Sequence, residues 1–226
     1  GLLLILVISY FLIPTFFDKN FIKSKLENQI LKKYNLKVNF ENELSYRLFP
    51  KPHFFSKKTI ITYNNKILAE TSHSKIFISF KNYFSSNKLK LKDIFFKKTK
   101  FNIDSSNFKF FKDTLDSNRS DHSIIFKNSI LFYKDKSEDV IIIVDISNIE
   151  FFRDEDFNHQ VTANYKIFNI PFNLNVRNDL SSKKIFTKLK SHKIRLNIDN
   201  DYDYNNENKN GLMAIKIINK SKNFNY

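Results

Sequence analysis

Apolar and polar residues alternate with period two along most of this chain. Leu36, Val38 and Phe40, then Leu44, Tyr46 and Leu48, occupy even positions, while Lys37, Asn39, Glu41, Glu43, Ser45 and Arg47 occupy odd ones. This predicts a long strand with one apolar and one wet face, bent near Asn42 and ended by Pro50 and Pro52. Shorter runs follow at Ile76, Ile78, Phe80; Leu89, Leu91; Phe101, Ile103; Ile130, Phe132; and Val140, Ile142, Val144, Ile146. Later runs are Val161 to Ile167 on odd positions, then Ile170, Phe172, Leu174, Val176, and finally Ile194, Leu196, Ile198. Turn formers separate them at Asn64-Asn65, Ser85-Ser86-Asn87, Ser105-Ser106-Asn107 and Asn178-Asp179, which predicts consecutive antiparallel strands. Phe108–Leu115 is a weak helical interruption, and the polar stretch 199–211 reads as a flexible loop.

The first 35 residues break the pattern. Leu2 to Ile13 reads LLLILVISYFLI, and no charge appears before Asp18. A full span needs about 20 apolar residues. Residues 1–17 are therefore read as a transmembrane anchor that begins inside a longer segment. A cleaved signal peptide and a buried core helix are the alternatives. From Asp18 to Tyr34, Ile22, Leu26, Ile30 and Tyr34 mark one helical face, with Asp18 as cap, Lys32 and Lys33 at the carboxyl end and Asn35 as a left-handed exit. Residues 18–35 are thus a short amphipathic helix, packed on a sheet or lying at a membrane surface. Residues 36–226 form the β-domain. One-sided alternation over so many strands has two solutions. The apolar faces close on each other as a sandwich or barrel, or the sheet curls into a half-pipe with an apolar groove.

Composition removes several chemistries. Glycine occurs only twice in 226 residues, which excludes glycine-rich phosphate loops and the nucleophile elbow. There is no cysteine, so no disulfide, thiolate metal site or thiol nucleophile exists. The histidines at 53, 73, 122, 159 and 192 show no metal-binding spacing, and acidic pairs such as Asp154 with Asp156 sit in a polar turn. No enzyme, cofactor or metal is expected. The net charge of +15 is uneven: residues 18–100 hold 19 Lys and Arg against 6 Asp and Glu. This favours anionic partners, lipid head groups or nucleic acid. An apolar amino-terminal segment argues against nucleic acid. Abundant Lys, Asn, Ile and Phe also fit a simple compositional bias. Lys19, Lys23 and Lys25 are candidate membrane-surface contacts, although a positive flank by itself would place that side in the cytoplasm.

The order of residues resembles the AsmA family. The resemblance is carried by an apolar segment ending in Pro, then D-x-x-x-F-I-K-x-x-L-E at Asp18–Glu27, L-K-V-N-F at Leu36–Phe40 and L-S-Y-R-L-F-P-K-P at Leu44–Pro52. It continues through SNKLKLKDIFFKKTKFNI, NSILFYKDKSEDV and VTANYKIFNIPFNLNV, with Asn128, Ala163 and Asn169 where the family often has glycine. The resemblance implies a single-pass bacterial inner-membrane protein whose β-domain faces the periplasm. It also implies a groove of long antiparallel strands that carries phospholipid acyl chains and contributes to outer-membrane biogenesis, with other envelope proteins as partners. Family members are usually longer, so the chain is expected to be an incomplete bridge or its amino-terminal part. The expected groove lining is Leu36, Val38, Phe40, Leu44, Tyr46, Leu48, Ile76, Ile78, Phe80, Val140, Ile142, Val144, Ile170, Phe172 and Leu174. A membrane-anchored scaffold with a closed core and no lipid transfer is the alternative.

Overall fold

The computed structural model describes residues 1–79, 81, 85–117, 121–156, 158–205, 210–218 and 220–225. Phe80, an expected groove residue, lies outside them. Two helices come first. α1 (Leu2–Leu12) runs into a 3-10 turn at Ile13–Phe16, started by Pro14 near its first position, where a missing N–H costs nothing. α2 (Lys19–Tyr34) is capped by the Asp18 carboxylate, which accepts from the Phe21 N–H at 2.6 Å, and leaves through Asn35 at φ 52°. α1 and α2 meet at a bend of 87°. No single helix among the described residues is long and apolar enough to cross a membrane by itself.

The strands are β1 (Lys37–Phe40), β2 (Ser45–Arg47), β3 (His53–Ser56), β4 (Thr59–Tyr63), β5 (Lys66–Ile78), β6 (Leu91–Ile103), β7 (Ile124–Lys134), β8 (Val140–Arg153), β9 (His159–Ile167), β10 (Ile170–Asp179), β11 (Lys184–Ser191), β12 (Leu196–Asp203), β13 (Asn210–Ile217) and β14 (Lys220–Asn225). All belong to one sheet with the order β1-β4-β5-β6-β7-β8-β9-β10-β11-β12-β13-β14, and β2 and β3 continue it beside β5. β1 and β14 stand at opposite ends of this order, so the sheet is open and is neither a barrel nor a sandwich.

Three expectations are corrected. The long strand 36–48 is two strands, because its partner also breaks: the Ser56 hydroxyl donates to the Lys58 carbonyl, and the Glu41 N–H reaches that same carbonyl between β1 and β2. Pairing is not wholly antiparallel. β6 and β7 run parallel, joined by a crossover through α3 (Phe110–Ser117). Residues 199–203, read as loop, are the second half of β12. Asp199 and Asp201 sit opposite Lys188 and Phe186, and Lys184 Nζ lies 3.9 Å from Asp201 Oδ2, so pairing with the basic β11 extends the strand.

Facing pairs show which residues share the inner face. Val38 faces Ile61, Ile61 faces Ala69, Ala69 faces Phe101 and Phe101 faces Leu131. From there the row continues through Val144, Ile167 and Ile170. The apolar stripe of α2 packs on the first half of this face. Ile22, Leu26, Ile30 and Tyr34 are at most 1% exposed and belong to one core with Phe40, Ile76, Phe96, Phe101 and Phe126. Phe126 sits at the centre of an aromatic group, stacked on Phe96 at 5.0 Å and edge-on to Phe101 at 5.1 Å.

Candidate functional site

α3 divides the inner face. Its amino end packs on β4 and β6: Phe110 meets Tyr63 at 5.7 Å and Phe111 meets Phe101 at the same distance, while the Tyr63 hydroxyl donates to the Asp113 carboxylate. Its carboxyl end reaches β10, where Asn178 Nδ2 donates to Asp116 Oδ1 at 3.1 Å. Tyr204 completes this polar knot by donating to Asn178 Oδ1 at 2.9 Å. On a flat sheet β4 and β10 would lie about 29 Å apart at 4.8 Å per strand, yet a helix only about 12 Å long touches both. α3 with its side chains thus bridges strands six places apart in the sheet.

On one side of α3 the apolar face is sealed. Leu36, Val38, Phe40, Leu44, Ile76 and Ile78, all expected groove residues, are buried in the core, and Phe40 and Ile76 have no exposure. With α2 in place no ligand can reach them. Tyr46 and Leu48 are half-buried at the margin, and the Tyr46 hydroxyl donates to the Phe11 carbonyl of α1 at 2.8 Å. Glu27, Gln29 and Tyr34 hold α2 down. Gln29 makes two bonds of 2.9 Å, donating to the Leu89 carbonyl and accepting from the Leu91 N–H. The Phe40 N–H donates to Glu27 Oε1, and the Tyr34 hydroxyl donates to the Lys92 carbonyl.

On the other side, among the described residues, the same face has no helix over it. Ile142, Val144, Ile170, Phe172 and Leu174 are half-buried, shielded by lateral neighbours, and Val140 at the rim is 46% exposed. Tyr165 and Phe172 stack at 5.6 Å across β9 and β10, so the floor here is a smooth aromatic and aliphatic surface. Leu189, Ile198 and Ile215 extend it in register across β11, β12 and β13. Sequence reading missed β11 and β13, although Ile185-x-Thr187-x-Leu189 and Met213-x-Ile215-x-Ile217 carry the period-two signal in diluted form. The face is polar toward one end, where Asn178 and Tyr202 lie, and apolar toward the other.

The three candidate lysines all stand on α2. Lys19 is exposed and pairs with Glu43 at 2.6 Å, Lys25 donates to the Asn87 carbonyl, and Lys23 is half-buried on α2. Three histidines are held toward the neutral form. Burial is the largest cause for His53, His73 and His159; nearby Lys97, Lys98, Lys75 and Arg47 add to it at His73, and Arg153 at His159. Among the described residues, no group of three His, Asp or Glu side chains stands ready to hold a metal ion.

Residues 1–102 match the model of the AsmA family, the same family that the sequence resembles. That region contains α1, α2 and the strands β1 to β6, with only Ile103 of β6 beyond it. No match was found among curated proteins.

Proposed function

We propose, for a chain whose residues 1–102 match the model of the AsmA family, that the open part of the apolar face holds lipid acyl chains. The match suggests an envelope or lipid-related role. In the fuller reading α1 is part of an inner-membrane anchor and the β-domain stands in the periplasm. The protein then contributes to phospholipid transport and outer-membrane biogenesis together with other envelope proteins. It acts without catalysis, cofactor or nucleic acid.

The observation that carries this reading is the inner face beyond α3, where Leu174, Leu189, Ile198 and Ile215 stand in register across β10 to β13 and, like Ile142 and Phe172, keep access to solvent. Covering such a surface with an acyl chain gains about 0.8 kcal/mol per buried methylene, less the ordering cost. The surface offers aliphatic and aromatic contacts with few polar anchors, so a chain is held without being fixed at one position. Head groups remain at the wet rim. The test is mass spectrometry of the purified protein after detergent exchange. Co-purifying phospholipid that Ile142→Lys or Leu174→Lys displaces supports the reading, and a lipid-free protein overturns it.

The sealed half favours a second reading, a membrane-anchored scaffold. There α2 and the aromatic group around Phe126 form a closed core of the kind that only stabilises. In that case Ile142→Lys changes neither lipid content nor any binding property.

A further inference from the structure

The outer face of the sheet carries a feature that the acyl-chain reading does not use. Along β5, β6, β7 and β8 the in-out alternation slips at one level. Thr71 and Ser74 both point inward with Ser72 and His73 between them, and Phe96 and Thr99 do so with Lys97 and Lys98 between them. Phe126 and Ser129 enclose Lys127 and Asn128, and Ile146 and Ile149 enclose Ser147 and Asn148. Lys98 and Asn128 take left-handed φ values of 56° and 49° to allow this. The slipped level is held from within, where the Thr99 N–H donates to Ser129 Oγ.

The slips place cations side by side. Lys97 stands directly opposite Lys127, whose ammonium lies 5.7 Å from the centre of the Phe95 ring, so two like charges share one level of the outer face. Beside them lies a basin of about 720 Å³ lined by Arg47, Lys57, Lys75, Lys97, Lys98 and His73, with Phe55 and Phe95 as its apolar wall and no carboxylate in the lining. The Arg47 guanidinium is stacked on the Phe55 ring at 3.8 Å, which fixes its orientation. Among the described residues none of these five cations forms an ion pair, and His73 Nδ1 is buried without a hydrogen-bond partner. Arg47 follows Tyr46 on β2 and so points to the opposite face from the Tyr46 hydroxyl, which bonds the Phe11 carbonyl on the inner side.

We propose that this basin binds a phosphoryl anion, with the stacked Arg47 fork and Lys75, Lys97 and Lys98 on its oxygens. A lipid head group and free polyphosphate share that chemistry. The proposal does not depend on acyl chains occupying the inner face.

The experiment uses the full chain in detergent or nanodiscs. Inorganic pyrophosphate is titrated by calorimetry, and nanodiscs of phosphatidic acid are compared with phosphatidylcholine. Arg47→Gln and, separately, the double variant Lys75→Gln/Lys97→Gln are expected to weaken binding at least about tenfold, as lost charge-assisted contacts do. Lys188→Gln/Lys190→Gln, an equal charge change on β11, leaves it within twofold. Loss with pyrophosphate assigns a soluble phosphate, and loss with phosphatidic acid alone assigns a head group; both support the site. Equal weakening by the β11 control, no weakening by either basin variant, or tighter binding of a single-stranded oligonucleotide than of both phosphate probes overturns it. Arg47→Gln leaves β5 and β6 intact, so the result stands even if the double variant folds poorly.

Discussion

Side chains with the same apolar character have different roles on the two sides of α3, and substitution separates them. Phe126 is fully buried among Phe96, Phe101 and Phe151. Phe126→Ala is expected to cost about 3–5 kcal/mol in urea unfolding, as large-to-small changes in aromatic cores do. Phe40→Lys places a charge in the sealed half and leaves no cooperative unfolding transition. Ile142→Lys on the open half keeps the transition and removes bound lipid. Acid tests a further set of residues. His53, His73 and His159 have folded pKa values below the ordinary histidine value of about 6.5, so the unfolded chain takes up protons first. Their contribution to stability is complete above that value and is lost as pH falls through the lowered folded values. Urea midpoints should therefore drop as pH goes from neutral toward 5 (about 1.5 units below the free histidine value), more in wild type than in His53→Gln/His159→Gln. At this scale much was legible. Asp18, Asn35 and the Asn64-Asn65 turn do what their side chains predict, the two asparagines at φ 48° and 61°. The facing of Ile130 and Phe132 was not legible. The slip at Asn128 turns them to the outer face, and a one-residue shift reverses every position after it.

Elements were legible where their period was strong. α2 and the hairpin β9–β10 fall where the pattern puts them, with β9 and β10 joined by the two-residue turn Phe168-Asn169. The parallel pairing of β6 with β7 was illegible, because alternation reports which face a side chain takes and says nothing about strand direction. β11 and β13 were obscured by Thr187, Lys188 and Lys216, whose polar contribution flattens the apolar period. The docking of α2 on the sheet makes its own prediction. Gln29 satisfies both the Leu89 carbonyl and the Leu91 N–H at the start of β6. Gln29→Ala leaves two polar groups without their partner, at about 1–3 kcal/mol in thermal unfolding. Amide exchange at Leu91 should quicken while that at Phe101 stays slow. Unchanged exchange at Leu91 would mean that α2 is held by its apolar stripe alone.

At the scale of the whole molecule, sequence gave the class, one-sided β-structure with two leading helices, and left open whether the apolar faces close. Closure depends on how many strands lie under a helix: α2 packs on the first strands, α3 reaches across β8 and β9 to β10, and among the described residues no helix follows. A photo-reactive acyl probe should accordingly label Phe172 and Ile215 and spare Phe96, with labelled peptides read by mass spectrometry.

Beyond β8 each strand folds back beside its predecessor, so every hairpin repeats one step: two strands, about 9.6 Å of new floor, and no demand for a further core. Such a design behaves like a ruler. Its span is a matter of counting hairpins, each a whole unit laid beyond the strands that Asn178 and Tyr204 tie to α3.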